Sequence, residues 1–569
     1  MSGSEARSTS RPSPKAMASM LSALQTELAA ERAATVAKVA ALEDTIANLA
    51  HENALLKRRL FGNKTERAQT SELQLALGDL LEDEARLKAE LDKAVTKTGD
   101  DAPPSPPAED PEGKGRPTGH GRRNLRLSKL PRTVVDILDE ALEAKGHRRI
   151  GFEESSQLGF RRGGFFVVLK RVAKYEVAAR GEATVVSAPT PKTLFPRALL
   201  HPSAVAHLIT SKFSLGVPHY RLEQELAAQG MPLDRGLMSR YVEHAGNTLG
   251  ATVVAAMWRD AIATGHVIST DATGALVQPT AQHDAKRAGK TACKKGHFFT
   301  AVVDARSVLF AYAEAHTSEL VKELFGDFRG YLQADASAVY DVLERGPPTD
   351  TDEGLKLVGC WAHARRYFFE AALCRYPVGV QGLLRIGALF AMELHAQRVP
   401  RGERVAFRRA HLGPVMDDFF SWARDARATT PGRNLATKAL GYAMNQEAEL
   451  RRVLDDADLP LDNTRAERAL RKIVVGRKNW LFYGSDTHAE AAAALFSVIA
   501  SCRLHGLDAF TYLDEVLRLL PSWPADRYLE LAPPNWAHTR ARLDPAELDR
   551  PIASFTIPPL CDSPSQPAT

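Results

Sequence analysis

Residues 462–486, DNTRAERALRKIVVGRKNWLFYGSD, place one carboxylate inside a segment crowded with arginine and lysine. Leu470 and Val474 follow Glu467 at helical spacing, which predicts a helix with Glu467 on or near its packed face. A basic surface with one inward acid suits a site that holds a polyanion against a metal ion. Asp462 and Asn463 are candidates for the N-cap of this helix. Gly476 is a candidate for the glycine that commonly follows the last residue of a helix.

Two upstream segments each bring an aspartate to a predicted strand. HVISTDATGALVQ alternates apolar and polar residues, which predicts a strand with Asp271 near its middle or end. YLQADAS predicts a short strand that ends at Asp335. Two strand-like runs, about 297–303 and 308–314, and a helix near 318–329 lie between them. This order indicates an α/β domain, in which reactive groups gather near strand ends.

These segments, with GCWAHARRYFFEA and ASCRLHGLDAFTYLDEVL, resemble the insertion-sequence-66 family of transposases over roughly residues 50–540. The block around Glu467 is the most specific part of the resemblance. It implies an enzyme of the Asp–Asp–Glu class with an RNase H-like catalytic core and a helical insertion at about 373–445. It also implies that the catalytic, metal-binding residues are Asp271, Asp335 and Glu467.

Three carboxylates suit the hydrolysis and transfer of a phosphodiester. Two metal ions about 3.5–4 Å apart can serve the nucleophile and the leaving oxygen, and Mg²⁺ prefers hard oxygen ligands. We therefore expect two Mg²⁺ ions, replaceable by Mn²⁺, with Asp271 bridging them and Asp335 and Glu467 each helping to hold one. Taken singly, each carboxylate has a simpler interpretation, such as a strand-end cap or a helical pair of Glu467 with Arg471.

A further set of residues is predicted to contact DNA. Basic residues interleaved with aromatic ones suit phosphate contact and base stacking. For Trp480 and Phe482, core packing is an equal alternative, and Lys294 and Lys295 are expected in a solvated loop. The candidates are Arg365, Arg366, Arg468, Arg471, Lys472, Arg477, Lys478 and Trp480.

The N-terminal part has a different organisation. Residues 1–16 are predicted to be disordered, and 17–95 a coiled coil with a second helix. Leucines recur at sevens from Leu21, and one asparagine falls on the other seam, which favours a parallel two-stranded coil. An amphipathic helix packed on its own domain is the alternative. Residues 96–120, rich in Pro, Gly and acid, are predicted to be a disordered linker.

Two small modules follow the linker. Residues 121–195 resemble the family's zinc-binding module, but the chain contains no cysteine before Cys293, so zinc is not expected there. We interpret the module as a degenerate, zinc-finger-like DNA-binding element, with a purely structural β element as the alternative. Residues 196–262 are predicted to be helical with helix-turn-helix spacing, and a plain helical hairpin is the alternative. The groove-facing candidates are Arg235, Ser239 and Arg240.

Length and composition narrow the class of protein. A chain of 569 residues predicts several domains, and five scattered cysteines argue against a disulfide framework and for a reducing compartment. Cys360 and His363 have the spacing of half a zinc site, but no second pair of ligands follows at a suitable spacing. Cys360 is therefore interpreted as a core residue and His363 as a polar residue. No run approaches the ~20 apolar residues of a membrane span, so a cytoplasmic protein is expected.

The combined interpretation is a multidomain α/β transposase of a bacterial insertion sequence. The catalytic domain spans 263–486, a helical C-terminal region 487–545 and a tail 546–569. The expected partners of the protein are the DNA ends of the element, target DNA, a second copy bound through the coiled coil and other proteins of the same element. A catalytically decayed, dimeric DNA-binding protein on element ends and a coiled-coil scaffold without DNA affinity are the alternatives.

Overall fold

The computed structural model describes residues 130–179, 182–278, 293–343 and 354–560. Two compact units divide them: His363–Glu447 belongs to one, and the described residues up to Ala362 and from Ala448 belong to the other. The N-terminal segments predicted at 1–16, 17–95 and 96–120 lie outside the described residues. The coiled coil therefore stays a prediction.

The described chain is a mixed α/β structure with two mixed sheets. Its strands are β1 (Arg132–Ile137), β2 (Arg148–Arg161), β3 (Gly164–Ala179), β4 (Glu182–Ser187), β5 (Val267–Val277), β6 (Lys294–Val303), β7 (Ser307–Ala313), β8 (Tyr331–Gln333) and β9 (Lys356–Val358). Its α-helices are α1 (Glu140–Ala144), α2 (Pro202–Ile209), α3 (His219–Ala228), α4 (Arg235–Leu249), α5 (Ala255–Thr264), α6 (Ser318–Phe325), α7 (Trp361–Leu373), α8 (Pro377–Ala396), α9 (Arg401–Phe407), α10 (Gly413–Thr429), α11 (Leu435–Asn445), α12 (Glu447–Arg451), α13 (Thr464–Trp480), α14 (Asp486–Leu504), α15 (Ala509–Leu519), α16 (Pro533–Arg540) and α17 (Pro545–Asp549).

The first sheet lies within the predicted 121–195 module. Strands β2 and β3 form a long antiparallel hairpin, β1 pairs with β3 in parallel, and β4 pairs with β3 antiparallel. At the hairpin turn Gly163 and Gly164 adopt φ of 107° and 145°, which side-chain-bearing residues rarely take. The strand predicted at FFVVLKRVAKYEV is confirmed as part of β3. A role of this sheet in DNA binding stays a prediction.

The second sheet contains the predicted carboxylate-bearing strands. Its order is β7-β6-β5-β8-β9, with β5 central, antiparallel to β6 and parallel to β8. Strand β7 is antiparallel to β6, and β9 is parallel to β8. The alternating pattern around Asp271 predicted β5 correctly. The short strand predicted at YLQADAS is present as β8, but it ends at Gln333, two residues before the predicted end at Asp335.

Helix α14 covers the outer edge of this sheet. The backbone N–H of Phe310 donates to Ser497 Oγ at 2.8 Å, and that of Val308 donates to Ser501 Oγ at 3.0 Å. Two buried serines thereby satisfy backbone groups on edge strand β7 that no neighbouring strand reaches, which protects the edge from pairing with another chain. The Ala-rich run AAAALFSVIA is this buried helix.

The other unit is helical and comprises α7 from His363 onward and helices α8 to α11. Helix α8, Pro377–Ala396, is long and apolar enough by composition to cross a membrane, a feature that the sequence expectation missed. However, its Glu393 is buried and pairs with the equally buried Arg408, with 2.5 Å between Oε1 and Nη2. A buried and paired carboxylate fits the core helix of a helical unit, where each charge compensates the other.

Two local expectations are wrong. Helix α13 continues through Gly476 to Trp480, because the Trp480 ring packs over Gly476 where a Cβ atom would stand. Lys294 and Lys295 lie in β6 rather than in a loop. Lys294 Nζ pairs with Asp486 at 2.6 Å and with Glu314 at 2.9 Å. These two ion pairs hold Lys294 in the strand, in the region predicted as a loop.

The contact between α4 and α14 gives a test of this packing. A Cβ atom at Gly246 would lie 2.6 Å from the Ala491 carbonyl oxygen, whereas one at Gly250 would meet only Ala494 Cβ at 3.3 Å. Gly246→Ala should lower the free energy of unfolding by about 1–3 kcal/mol through overpacking. Gly250→Ala, its matched control one turn further on, should stay within about 0.5 kcal/mol, because the lower flexibility of alanine offsets the tight contact. Urea unfolding followed by circular dichroism measures both, and equal effects would contradict this packing.

Candidate active site

Parallel pairing of β5 with β8 brings two predicted carboxylates to the place where this pairing ends. Ser269 is paired with Gln333, and Asp271 and Asp335 each stand two residues further along their segments. Both aspartates are half-buried. Asp271 lies within β5, and Asp335 follows the last residue of β8 by two positions. The strand pairing therefore brings the two aspartates to neighbouring segments at the same level of the sheet.

Tyr340 lies beside both aspartates. Its side chain is buried, with 2% exposed. Burial raises the pKa of Tyr340, the neighbouring Thr270 hydroxyl lowers it, and the negative charges of Asp335 and Asp271 raise it further. One buried phenol is thus close enough to interact electrostatically with both carboxylates, which indicates that Asp271 and Asp335 lie near each other where the pairing of β5 with β8 ends.

The start of α13 is fastened to β5 by a buried asparagine. Asn463 is fully buried, and its Nδ2 donates to the Thr270 carbonyl oxygen at 2.6 Å. Its backbone N–H donates to Cys360 Sγ at 3.2 Å. Glu467 is half-buried in the first turn, where its N–H donates to the Asn463 carbonyl at 3.3 Å. The third predicted carboxylate therefore enters one turn after the attachment point next to Asp271.

The helix start differs in one respect from the prediction. Asn463 stands at the N-cap position, but its Oδ1 accepts no hydrogen bond from the first turn, and its Nδ2 donates to β5. Asp462 Oδ1 accepts the Thr464 N–H at 2.9 Å instead. The predicted N-cap chemistry is thus present at Asp462, and Asn463 has a tertiary role.

Sequence reasoning missed Gln333, a fully buried residue of β8. Its Nε2 donates to the carbonyl oxygens of Pro460, at 2.8 Å, and Gly359, at 3.3 Å. Its Oε1 accepts the Ser269 hydroxyl at 3.3 Å. One amide therefore links β5, β8, the end of β9 and the segment before α13. The sequence does show a glutamine beside apolar residues in a short predicted strand, and a polar residue at such a position needs buried hydrogen-bond partners.

The predicted DNA contacts differ in exposure. Arg365 is buried, with 4% exposed, which favours a structural role over direct phosphate contact. Arg477 is half-buried, and its Nη1 donates to Thr273 Oγ1 at 3.2 Å and to the Gly274 carbonyl, so it fastens α13 to β5. The exposed members of the set are Arg366, Arg468, Arg471, Lys472 and Lys478.

Trp480 follows the packing alternative. The indole is half-buried and makes an edge contact with Phe213, with 6.0 Å between ring centroids. Lys212 Nζ lies 5.6 Å from the indole centroid, within cation–π range. Phe482, in contrast, is 40% exposed. The aromatic residue presented to solvent is therefore Phe482 rather than Trp480.

Helices α3 and α4 occupy the predicted helix-turn-helix region. Arg235 and Arg240 are exposed, but Ser239 Oγ lies 3.0 Å from His488 Nε2 on α14. Ser239 thus contacts its own domain. Groove binding by the two arginines stays a prediction.

A separate cluster of possible metal ligands lies at the beginning of β5. Within the described ranges, His266, Asp456 and Asp458 have ligand atoms within 4.8 Å of one another. His266 Nε2 is 2.9 Å from Asp456 Oδ2, so a simple ion pair accounts for the contact. His266 immediately precedes β5 and stands five residues before Asp271, so at ~3.4 Å per residue the cluster lies roughly 17 Å from Asp271 along the strand, at the beginning of β5.

Comparison with known proteins finds matches along most of the chain. Residues 197–491 match the family model described as Transposase IS66 family, and residues 497–533 match the IS66 C-terminal element. Residues 48–135 match a model described as Transposase C of IS166 homeodomain.

Curated relatives come from Sinorhizobium fredii and are described as uncharacterized. Protein y4qI is 26% identical over 542 residues, covering 92% of this chain and 95% of the relative. Protein y4hP is 25% identical over 438 residues, covering 73% of each chain. Protein y4jD is 27% identical over 387 residues, covering 65% of this chain and 72% of the relative. No solved structure matches the chain.

The buried amide of Gln333 gives a test of the site's framework. Gln333→Leu keeps a similar volume but leaves two carbonyl oxygens and the Ser269 hydroxyl without this partner. It should lower the free energy of unfolding by about 1–3 kcal/mol, the cost of unsatisfied buried polar groups. Gln278→Leu, at an exposed position just after β5, is the control and should change stability little. Equal unfolding midpoints for both variants in urea would show that the Gln333 bonds contribute nothing.

Proposed function

This chain belongs to the IS66 transposase family, and from that membership we propose that it binds the ends of an insertion sequence and catalyses metal-dependent DNA cleavage and strand transfer. The observation that carries the proposal is the pairing of β5 with β8, since Asp271 and Asp335 both follow the end of this pairing by two residues and both lie near Tyr340. The attachment of α13 through Asn463 adds Glu467 from a third segment.

The strand order supports an RNase H-like core, the fold that the family resemblance implies. Three antiparallel strands, β7, β6 and β5, continue into two strands parallel to β5. Helix α6 lies between β7 and β8 in the chain. The proposed catalytic residues come from the central strand, from the end of its parallel neighbour and from a helix packed against the sheet.

The residues at this position fit hard divalent cations. The proposed ligands are carboxylate oxygens, which Mg²⁺ and Mn²⁺ prefer, and no thiolate belongs to the set. Burial is the main cause of the raised pKa of Tyr340, but the charges of Asp335 and Asp271 both add to it, and two carboxylates beside one phenol favour a cation at the same place. Asp271, Asp335 and Glu467 would hold the ions. When bound, such ions activate a water or hydroxyl nucleophile and stabilise the leaving oxygen of the phosphodiester.

The exposed face of α13 is proposed to follow the DNA backbone. Arg468, Arg471, Lys472 and Lys478 are exposed along it, and Glu467 is the one acidic residue of the helix. Their phosphate contacts would hold a strand next to the carboxylates without reading its sequence. Affinity for element ends should therefore fall steeply with salt.

Neutral substitutions of the carboxylates test the proposal. Asp271→Asn, Asp335→Asn and Glu467→Gln should each reduce cleavage of labelled element ends in Mg²⁺ by about a thousandfold or more. The physical reason is the loss of several kcal/mol of charge stabilisation in the transition state, since each 1.36 kcal/mol is about tenfold in rate. DNA binding in a gel shift should persist in all three variants, because the basic face is unchanged.

Asp456→Asn provides the matched control. It removes the same charge from the other possible metal cluster, at the beginning of β5, and should leave cleavage nearly unchanged. Loss of cleavage in Asp456→Asn with near-normal cleavage in Asp271→Asn would move the catalytic site to His266 and its neighbours. A wild-type chain that shifts element ends but cleaves none in Mg²⁺ would instead indicate the decayed, DNA-binding alternative.

A further inference from the structure

Helix α13 ends in a strained turn that presents two apolar side chains to solvent. Leu481 adopts φ 64° and ψ −49°, and the N–H of Phe482 donates to the Trp480 carbonyl at 2.7 Å. This is the γ-turn with positive φ, which is rare and strained. Leu481 is 63% exposed and Phe482 40% exposed. A strained residue that exposes a large apolar side chain points to a function for that side chain.

The two residues are held rigidly on both sides. On the preceding side, Trp480 is half-buried against Phe213. On the following side, Tyr483 is buried, its N–H donates to the Leu276 carbonyl at 2.8 Å, and its own carbonyl accepts the Gln278 N–H at 2.8 Å. Anchors on either side fix the position of the turn, so a partner would not have to order it on binding. We call Leu481 and Phe482 the apolar tip.

The charges on α13 and at its C-terminus indicate which kind of partner can bind the apolar tip. The exposed face of α13 is basic from Arg468 to Lys478, so it attracts a polyanion along its length. The tip itself follows the C-terminus of the helix, where the helix dipole is negative and disfavours a phosphate. A neutral, flat and apolar group attached to a polyanion fits both conditions. A nucleobase of DNA is such a group, and apolar side chains inserted between base steps are a known mode of binding.

We propose that the apolar tip inserts into DNA and stacks on a base displaced from its duplex. This inference rests on the proposed function, because it places the DNA along α13. Leu481 stands 14 residues after Glu467, about 21 Å at ~1.5 Å per residue of helix. At ~3.4 Å per base pair, a duplex that follows the helix meets the tip about six base pairs from the phosphate beside Glu467.

Mismatched duplexes test the tip through binding alone. A mismatch removes part of the cost of opening a base pair, so a protein that inserts there binds the mismatched duplex more tightly. The probes are duplexes of the element end with a single mismatch placed in turn at each of about the first ten base pairs from the cleaved phosphate. The full-length wild-type chain should prefer the mismatch near the sixth pair by about five- to tenfold over the matched duplex, since stacking on an aromatic ring stabilises the displaced base.

Four variants complete the experiment. Phe482→Ala should remove the preference, and so should Leu481→Gly, which keeps the positive φ accessible without the side chain. Phe482→Trp should retain it, because a larger ring still stacks. Val475→Ala, at a 49% exposed apolar position on the same helix, is the matched control and should bind like the wild type.

The outcomes separate the tip from the proposed function. A wild-type chain that binds no element-end DNA overturns both. A wild-type chain that binds DNA with equal affinity for matched and mismatched duplexes, or a Phe482→Ala chain that keeps the preference, overturns the tip alone. A changed sedimentation mass of Phe482→Ala with an unchanged mismatch preference would reassign the tip to contact between copies of the chain.

Discussion

Two buried amides hold together the segments on which the proposed site depends. Gln333 joins β8 to the segment before α13 through the Pro460 carbonyl, and Asn463 joins the start of α13 to β5 through the Thr270 carbonyl. Both side chains are fully buried, so a missing partner would leave a polar group without water. These bonds span 127 and 193 residues of sequence and favour one relative placement of Asp271, Asp335 and Glu467. A pair of like charges beside a buried phenol would otherwise favour separation.

Helix α13 connects this framework to the proposed DNA surface. One face is buried through Leu470 and Ile473, while the opposite face carries exposed arginine and lysine. Glu467 lies near its beginning, and the apolar tip follows its end. Since a helix is a stiff element, its attachments to β5 at Thr270 and Gly274 set the distance between the proposed cleavage position and the tip. Helix α13 alone would thus fix the distance between the phosphate bound beside Glu467 and the base displaced at the apolar tip.

The periodicity of apolar residues predicted the strands and helices whose formation depends on neighbouring residues in the sequence. Alternation around Asp271 gave β5, and helical spacing around Glu467 gave α13. Predictions failed where a distant residue decides the outcome. Lys294 lies in β6, where it pairs with Asp486, 192 residues later in the chain. Gly476 is a different case, because the ring that packs over it belongs to Trp480, one turn later in the same helix. The part played by Gln333 could not be predicted, since the sequence does not reveal which carbonyl oxygens face it.

The most direct measurement of the central claim is binding of Mn²⁺ to the full-length chain, titrated by electron paramagnetic resonance without DNA. If Asp271, Asp335 and Glu467 bind the metal together, neutralising any one of them should weaken Mn²⁺ affinity by at least about tenfold, as losses around metal sites commonly do. Asp456→Asn should leave that affinity unchanged. Binding that survives all three neutral substitutions and disappears in Asp456→Asn would contradict the account, because the metal would then belong to the cluster of His266, Asp456 and Asp458.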